Sequence, residues 1–205
     1  MIYELTCFFL RIALKVFFSH RMVGTENIPA EGSFILCSNH VSHADPPALC
    51  VFVKRDLYYI AKEELVNVRF FGWYFSRLHL IPIDRTGRSI KGIKEVARKI
   101  KGGYPIVIFP EGTRSEGKGL LRPQAGAAYF ALKFGIPVVP AYIKGTDQVL
   151  PKGAKRMKRA PITVFYGKPK FYSMDEDRGK EEVLRETSID IMNEIAGLKR
   201  LHAAN

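Results

Sequence analysis

The sequence predicts a single α/β domain, an α/β sandwich around a largely parallel, mixed sheet, led by an N-terminal amphipathic membrane-surface helix. Two observations carry that prediction. Short, nearly continuous apolar runs recur along the chain, and stretches of helical periodicity separate them, which is the alternation a parallel sheet requires. The length agrees, since 205 residues fit one domain with a real core, and 47% apolar with 25% charged residues excludes both a disordered polymer and a multi-span membrane protein. With no repeat, low-complexity tract or linker in view, the expected boundaries are 1–21 for the helix and 22–205 for the domain.

The elements follow in order. Residues 1–18 are the most hydrophobic stretch, but Glu4, Arg11 and Lys15 interrupt it, and a spanning helix needs about 20 nearly uncharged residues. No small-residue cleavage site follows before His20 and Arg21. At about 100° per residue the three charges share a stripe of roughly 40°, with Phe9, Ile12, Leu14, Val16 and Phe17 on the remainder. A helix lying in the interface of an anionic membrane fits this pattern, and so does a helix packed on the core. Strands buried on both faces are expected at 33–37, 57–61, 78–83, 105–109 and 138–143. Phe70, Phe71, Trp73, Tyr74 and Phe75 have the spacing of a core helix or of a pocket lining, with core favoured. Ile90, Ile93, Val96, Ala97 and Ile100 mark one face of a helix that Gly102, Gly103 and Pro105 end. A strand at 162–166 and a helix at 174–198 close the domain.

Charge and cysteines narrow the function. Thirty-two basic against 20 acidic residues leave +12, which suits a partner carrying phosphates. Nucleic acid is disfavoured, because aromatic residues are not interleaved with the basic run Lys152, Lys155, Arg156, Lys158 and Arg159 and no recognition motif appears. Cys7, Cys37 and Cys50 are odd in number and lack metal-like spacing, so a disulfide scaffold or zinc site is not expected and a reducing compartment is.

Two polar segments follow strands, where ligand sites of such sheets lie. The first is Ser38-Asn39-His40-Val41-Ser42-His43-Ala44-Asp45-Pro46. If a turn precedes a helix starting near Pro46, the Asp45 carboxylate can fold back onto His40 and fix its tautomer, leaving the other ring nitrogen as a base. Capping of that helix by Asp45 is the competing reading, as is simple bonding of the loop backbone by Asn39 or Ser42. His43 is a second candidate base with poorer spacing, and Cys37, inside an apolar run, reads as an inert buried thiol before it reads as a nucleophile. The second segment is Phe109-Pro110-Glu111-Gly112-Thr113-Arg114-Ser115, where Gly112 allows a tight turn with exposed amides and Arg114 offers a fork for a phosphate. Glu111 either accepts a bond from a substrate hydroxyl or braces Arg114. Arg85, after another strand, either joins Arg114 on a phosphate or pairs with Asp84; Lys118 and Arg122 add field or solubility.

These segments, with Ile83-Asp84-Arg85 and Ile136-Pro137-Val138-Val139-Pro140, stand in the order and spacing of the four motifs of glycerolipid acyltransferases. The chain resembles the bacterial 1-acyl-sn-glycerol-3-phosphate acyltransferases over roughly residues 22–146, Gly24-Thr25-Glu26-Asn27-Ile28-Pro29 and Ala61-Lys62-Glu63-Glu64-Leu65 included. The resemblance implies a catalytic dyad of His40 and Asp45, a phosphate site of Arg85 and Arg114, and Glu111 with Gly112 and Thr113 at the acceptor. It implies acyl transfer from acyl-ACP or acyl-CoA to the sn-2 hydroxyl of lysophosphatidic acid, giving phosphatidic acid. Glycerol 3-phosphate or another lysophospholipid is the alternative acceptor, and a noncatalytic anionic-lipid-binding module the alternative class. No metal or cofactor is expected. The implied place is the cytoplasmic face of a membrane, held peripherally. Pro123 and Gln124 depart from the phenylalanine and lysine common in relatives, which weakens the carry-over of a phosphate role to that segment and leaves Lys118 and Arg122 as substitutes.

Overall fold

The computed structural model describes residues 2–63, 72–75, 77–84, 89–116, 119–175 and 177–203. Along the chain run α1 (Ile2–Phe18), β1 (Arg21–Val23), a 3₁₀ turn (Thr25–Asn27), β2 (Ile35–Ser38), α2 (Asp45–Cys50), β3 (Tyr58–Lys62) and α3 (Gly72–Phe75). Then come β4 (Leu80–Ile83), α4 (Ile90–Lys101), β5 (Ile106–Ile108), α5 (Gly126–Phe134), β6 (Val138–Lys144), α6 (Thr146–Val149), β7 (Thr163–Tyr166) and α7 (Lys180–Leu201). The strands form one sheet in the order β1-β7-β6-β2-β5-β3-β4, parallel throughout except where β7 runs against β6.

Strand alternation divides the core between two faces. Leu36, Val107, Val139, Ala141 and Val164 point to the side covered by α1 and α2. Ile35, Cys37, Ile106, Ile108 and Val138 point to the side covered by α4, α5 and α7. Each such fully buried Ile, Leu or Val contributes about 1.5–3 kcal/mol, so the central strands anchor whatever leaves their ends. Burial on both faces holds for β2 and β5 and nearly throughout β6, but not for β3 and β4. The reason is position: β4 is the sheet's edge and β3 lies next to it.

Other expectations shift. The last helix begins at Lys180 rather than 174, because Asp175 draws the Asp177 amide into a local turn and Arg178 pairs instead with Glu182 and Glu186. In α4 the buried line is Gly92, Val96 and Ile100, while Ile90 is 70% exposed. A Cβ at Gly92 would lie 2.8 Å from both Ile83 Cγ1 and the Pro82 carbonyl, so the helix approaches β4 on its glycine and turns Ile90 outward. Trp73 is not core but 63% exposed, with the Arg77 guanidinium 4.2 Å from its ring centroid. Tyr74 instead bonds Thr6 of α1, oxygen to oxygen at 2.9 Å. Phe70 and Phe71, and the side chain of Phe75, lie outside the described residues.

The helix α1 packs on the core along one face and leaves an apolar face exposed. Cys7 and Leu14 are buried, and Tyr3 stacks on His79, which stacks in turn on Tyr58 of β3. Arg11 donates to the Val51 carbonyl. Yet Leu5, Phe8, Phe9, Ile12 and Val16, which share an arc of about 100°, are 47–67% exposed. Among the described residues no helix is long and apolar enough to cross a membrane.

Candidate active site

The strands β2 and β5 are adjacent and parallel, Cys37 level with Ile108, so the segments that follow them leave the sheet side by side. At the end of β2 the chain must exit without leaving β6 unpaired. Asn39, 3% exposed, manages this: its Oδ1 accepts from the Ile143 amide at 2.8 Å and its Nδ2 donates to the Ile143 carbonyl at 3.0 Å. The side-chain amide thus replaces the next rung of the ladder, and His40 is free to turn outward.

The helix α2 starts at Asp45, with prolines in its first turn, but Asp45 does not cap it: the cap position is Ala44 and has no side-chain bond. The carboxylate faces upstream, where Oδ2 accepts from Val41 N at 2.7 Å, Ser42 N at 2.8 Å and His40 Nδ1 at 2.7 Å. Asp45 is fully buried, while the His40 side chain is 17% exposed. Because the acid accepts at Nδ1, the ring proton sits there and the Nε2 lone pair is the atom presented outward. Ser42 holds the turn by donating to the Leu150 carbonyl at 2.8 Å and accepting from Ala44 N.

The turn after β5 closes on the same histidine from three directions. Phe109 stacks on the imidazole, centroids 4.2 Å apart. Glu111 Oε1 accepts from His40 N at 2.9 Å, and Ser115 N donates to the His40 carbonyl at 2.8 Å. The second Glu111 oxygen accepts from Leu121 N at 2.8 Å. Glu111, 3% exposed, therefore braces the backbone of two loops rather than Arg114, and burial raises its pKa against the lowering effect of those two amides. Gly112 holds φ at 66°, and a Cβ there would stand 3.1 Å from Gln124 Cγ. Gly112 and Thr113 are exposed and Arg114 half-buried, with no acidic side chain paired to its guanidinium among the described residues.

Of the other candidates, exposed His43 is pushed below its ordinary pKa by partial desolvation and then by the field of Arg114. Among the described residues no carboxylate pairs with it, unlike His40. The Cys37 thiol is fully buried and its pKa is driven far up, the state of an inert core residue. Arg122 is exposed. Arg85 and Lys118 lie outside the described residues. Sequence reasoning weighed Asn39 only as a loop binder and did not single out Phe109 or the Ser115 amide. An asparagine closing a buried strand directly before the histidine was the available signal for the first. A separate cavity of about 420 Å³, lined by Tyr3, Arg11, Lys54, Arg55 and Asp56 among others, opens at the opposite ends of the strands, beside Pro105.

With the histidine, its acid and the turn that grips both in view, comparison with known proteins is decisive. Residues 19–144 match the model of a family described as Acyltransferase. The chain belongs to the acyltransferase family. Acyltransferases similar to it include the 1-acyl-sn-glycerol-3-phosphate acyltransferase of Bacillus subtilis, 31% identical over 77% of this chain and 78% of that protein. The Cocos nucifera protein of the same name is 36% identical over 66% of this chain, which spans only 45% of its length. Among solved acyltransferases, the crystal structure of PlsC, the 1-acyl-sn-glycerophosphate (LPA) acyltransferase of Thermotoga maritima, superposes with a TM-score of 0.73. That match has 28% identity, covering 96% of this chain and 79% of that one.

Proposed function

We propose that the protein transfers an acyl group from a thioester, acyl-ACP or acyl-CoA, to the sn-2 hydroxyl of lysophosphatidic acid. The single observation carrying this reading is His40 Nδ1 held 2.7 Å from Asp45 Oδ2 with Nε2 outward, gripped by the turn that carries Arg114, whose guanidinium pairs with no acidic side chain among the described residues. The hydroxyl proton passes to His40 Nε2 as the oxygen attacks the thioester carbonyl, and the buried Asp45 stabilises the resulting imidazolium. Collapse of the tetrahedral intermediate breaks the C–S bond, and the proton leaves with the thiol. Ester forms, thioester is consumed, and no redox partner is needed. Arg114 and Arg85, which follows β4 in the sequence, hold the acceptor phosphate, each charged hydrogen bond contributing about 1.5–3 kcal/mol. The names of the relatives support the acceptor, and the outward apolar face of α1 supports a peripheral seat on a membrane, for which the cytoplasmic face is our reading. The test is thiol release by purified protein in mixed micelles, crossing lysophosphatidate, glycerol 3-phosphate and other lysophospholipids with both donor types. Lysophosphatidate is expected to be the best acceptor; faster turnover on another would move the assignment to it, and no turnover with any pair would refute it.

A further inference from the structure

Between α6 and β7 the chain runs through loop 151–159, Pro-Lys-Gly-Ala-Lys-Arg-Met-Lys-Arg, and all nine residues are exposed. Five are cationic and none acidic. Lys152 meets Glu116 at 3.6 Å; among the described residues no carboxylate pairs with Lys155, Arg156, Lys158 or Arg159. Amid these charges Met157 is 62% exposed. The loop is shaped rather than loose, since Ala154 N donates to the Pro151 carbonyl and Lys158 N to the Val149 carbonyl.

Its two ends touch different parts of the molecule. Lys152 Nζ donates to the Arg114 carbonyl at 3.3 Å, at the rim of the site. At the other end the Arg159 guanidinium lies 5.2 Å from the ring centroid of Phe17, in the last turn of α1. The loop therefore joins the mouth of the site to the helix whose outward face carries Leu5, Phe8, Phe9, Ile12 and Val16.

We propose that loop 151–159 docks on an anionic lipid bilayer as a continuation of the α1 face. An acidic protein would answer the five charges but leave Met157 and the α1 face in water. A bilayer answers both, taking apolar side chains below its headgroups and lysine and arginine at phosphate level. The contact brings Arg114 and His40 to the headgroup layer, where a lysophospholipid presents its phosphate and hydroxyl; this last step rests on the acceptor proposed above, the docking itself does not.

The experiment is co-sedimentation with vesicles of phosphatidylcholine mixed with phosphatidylglycerol, against pure phosphatidylcholine. Replacing Lys155, Arg156, Lys158 and Arg159 together by Gln should weaken binding to the anionic vesicles on the order of several hundred- to a thousandfold, at about fivefold per charge. Binding to neutral vesicles, the Tm, and turnover on micelle-dispersed lysophosphatidate with acyl-CoA should stay near wild type. Met157→Ser should weaken binding to both vesicle types several-fold, and Lys155→Arg with Lys158→Arg should preserve it. Anionic-vesicle binding unchanged in the Gln variant overturns the proposal, as does a defect confined to KM for acyl-ACP, which would make the partner an acidic protein. Wild-type protein that sediments with anionic vesicles but transfers no acyl group would leave the docking standing and sink the acyltransferase reading.

Discussion

Replacing Glu111 by Gln separates a bracing residue from a substrate contact. Each carboxylate oxygen accepts one backbone amide, from His40 at 2.9 Å and Leu121 at 2.8 Å. A glutamine of the same shape has one acceptor oxygen, so one buried N–H must face its NH₂ group. Losing a charge-assisted bond and stranding a donor costs about 1.5–3 kcal/mol. Burial raises the pKa of Glu111, so the amide also removes the cost of an unfavourably placed charge, and the net loss is about 2 kcal/mol. For a domain of this size that lowers Tm by roughly 4–8 °C. Because one of the two amides that Glu111 holds is that of His40, displacement of the base should lower kcat about ten- to a hundredfold with little change in KM for the acceptor. Thermal unfolding followed by steady-state kinetics on the same preparation reads both quantities. An unchanged Tm together with a raised acceptor KM and normal kcat would show that Glu111 binds a substrate hydroxyl instead.

Four more outcomes are expected. His40→Ala should lower kcat about 10²–10⁴-fold while the protein stays folded by circular dichroism, and a near-normal rate would remove His40 as the base. Arg114→Ala should raise KM for lysophosphatidate far more than for the thioester; equal effects on both would place Arg114 outside the phosphate site. Asn39→Asp sets an oxygen against the Ile143 carbonyl and should cost about 1–3 kcal/mol, read as a Tm drop, whereas a neutral result would mean that the replaced rung carries no weight. Burial also lowers the pKa of His20 and His79 below 6.5, so the fold prefers them neutral. Their contribution is complete above about pH 6.5 and is lost as pH falls from there toward their lowered folded values, so Tm should drop as pH is taken below about 6.5. His20→Phe should flatten that slope, and an unaltered slope would clear His20.

What could be read in advance was what depends on neighbours along the chain. The runs that became β2, β5 and β6 are central and covered on both faces, so their apolar continuity was a direct image of their place in the sheet. The dyad was legible as a possibility because five residues and a proline-started helix suffice to fold Asp45 onto His40. Burial along α4 was misread because Gly92, which contributes nothing to hydropathy, sets the helix rotation through contact with Pro82 and Ile83. The part of Glu111 was hidden for a related reason: its partners are backbone amides 71 and 10 residues away, and amides leave no mark on a sequence. The exposed Trp73 shows the converse, since aromatic spacing alone does not say which side a partner lies on.

All three thiols of the chain, Cys7, Cys37 and Cys50, are interior and unbonded to one another, with burial raising the pKa of each. A maleimide finds no ready target on the folded protein. One engineered cysteine on its outside, Met157→Cys for instance, would therefore be labelled in an otherwise native background. Spin or fluorescent reporters can thus measure immersion depth without first stripping the interior of its sulfur.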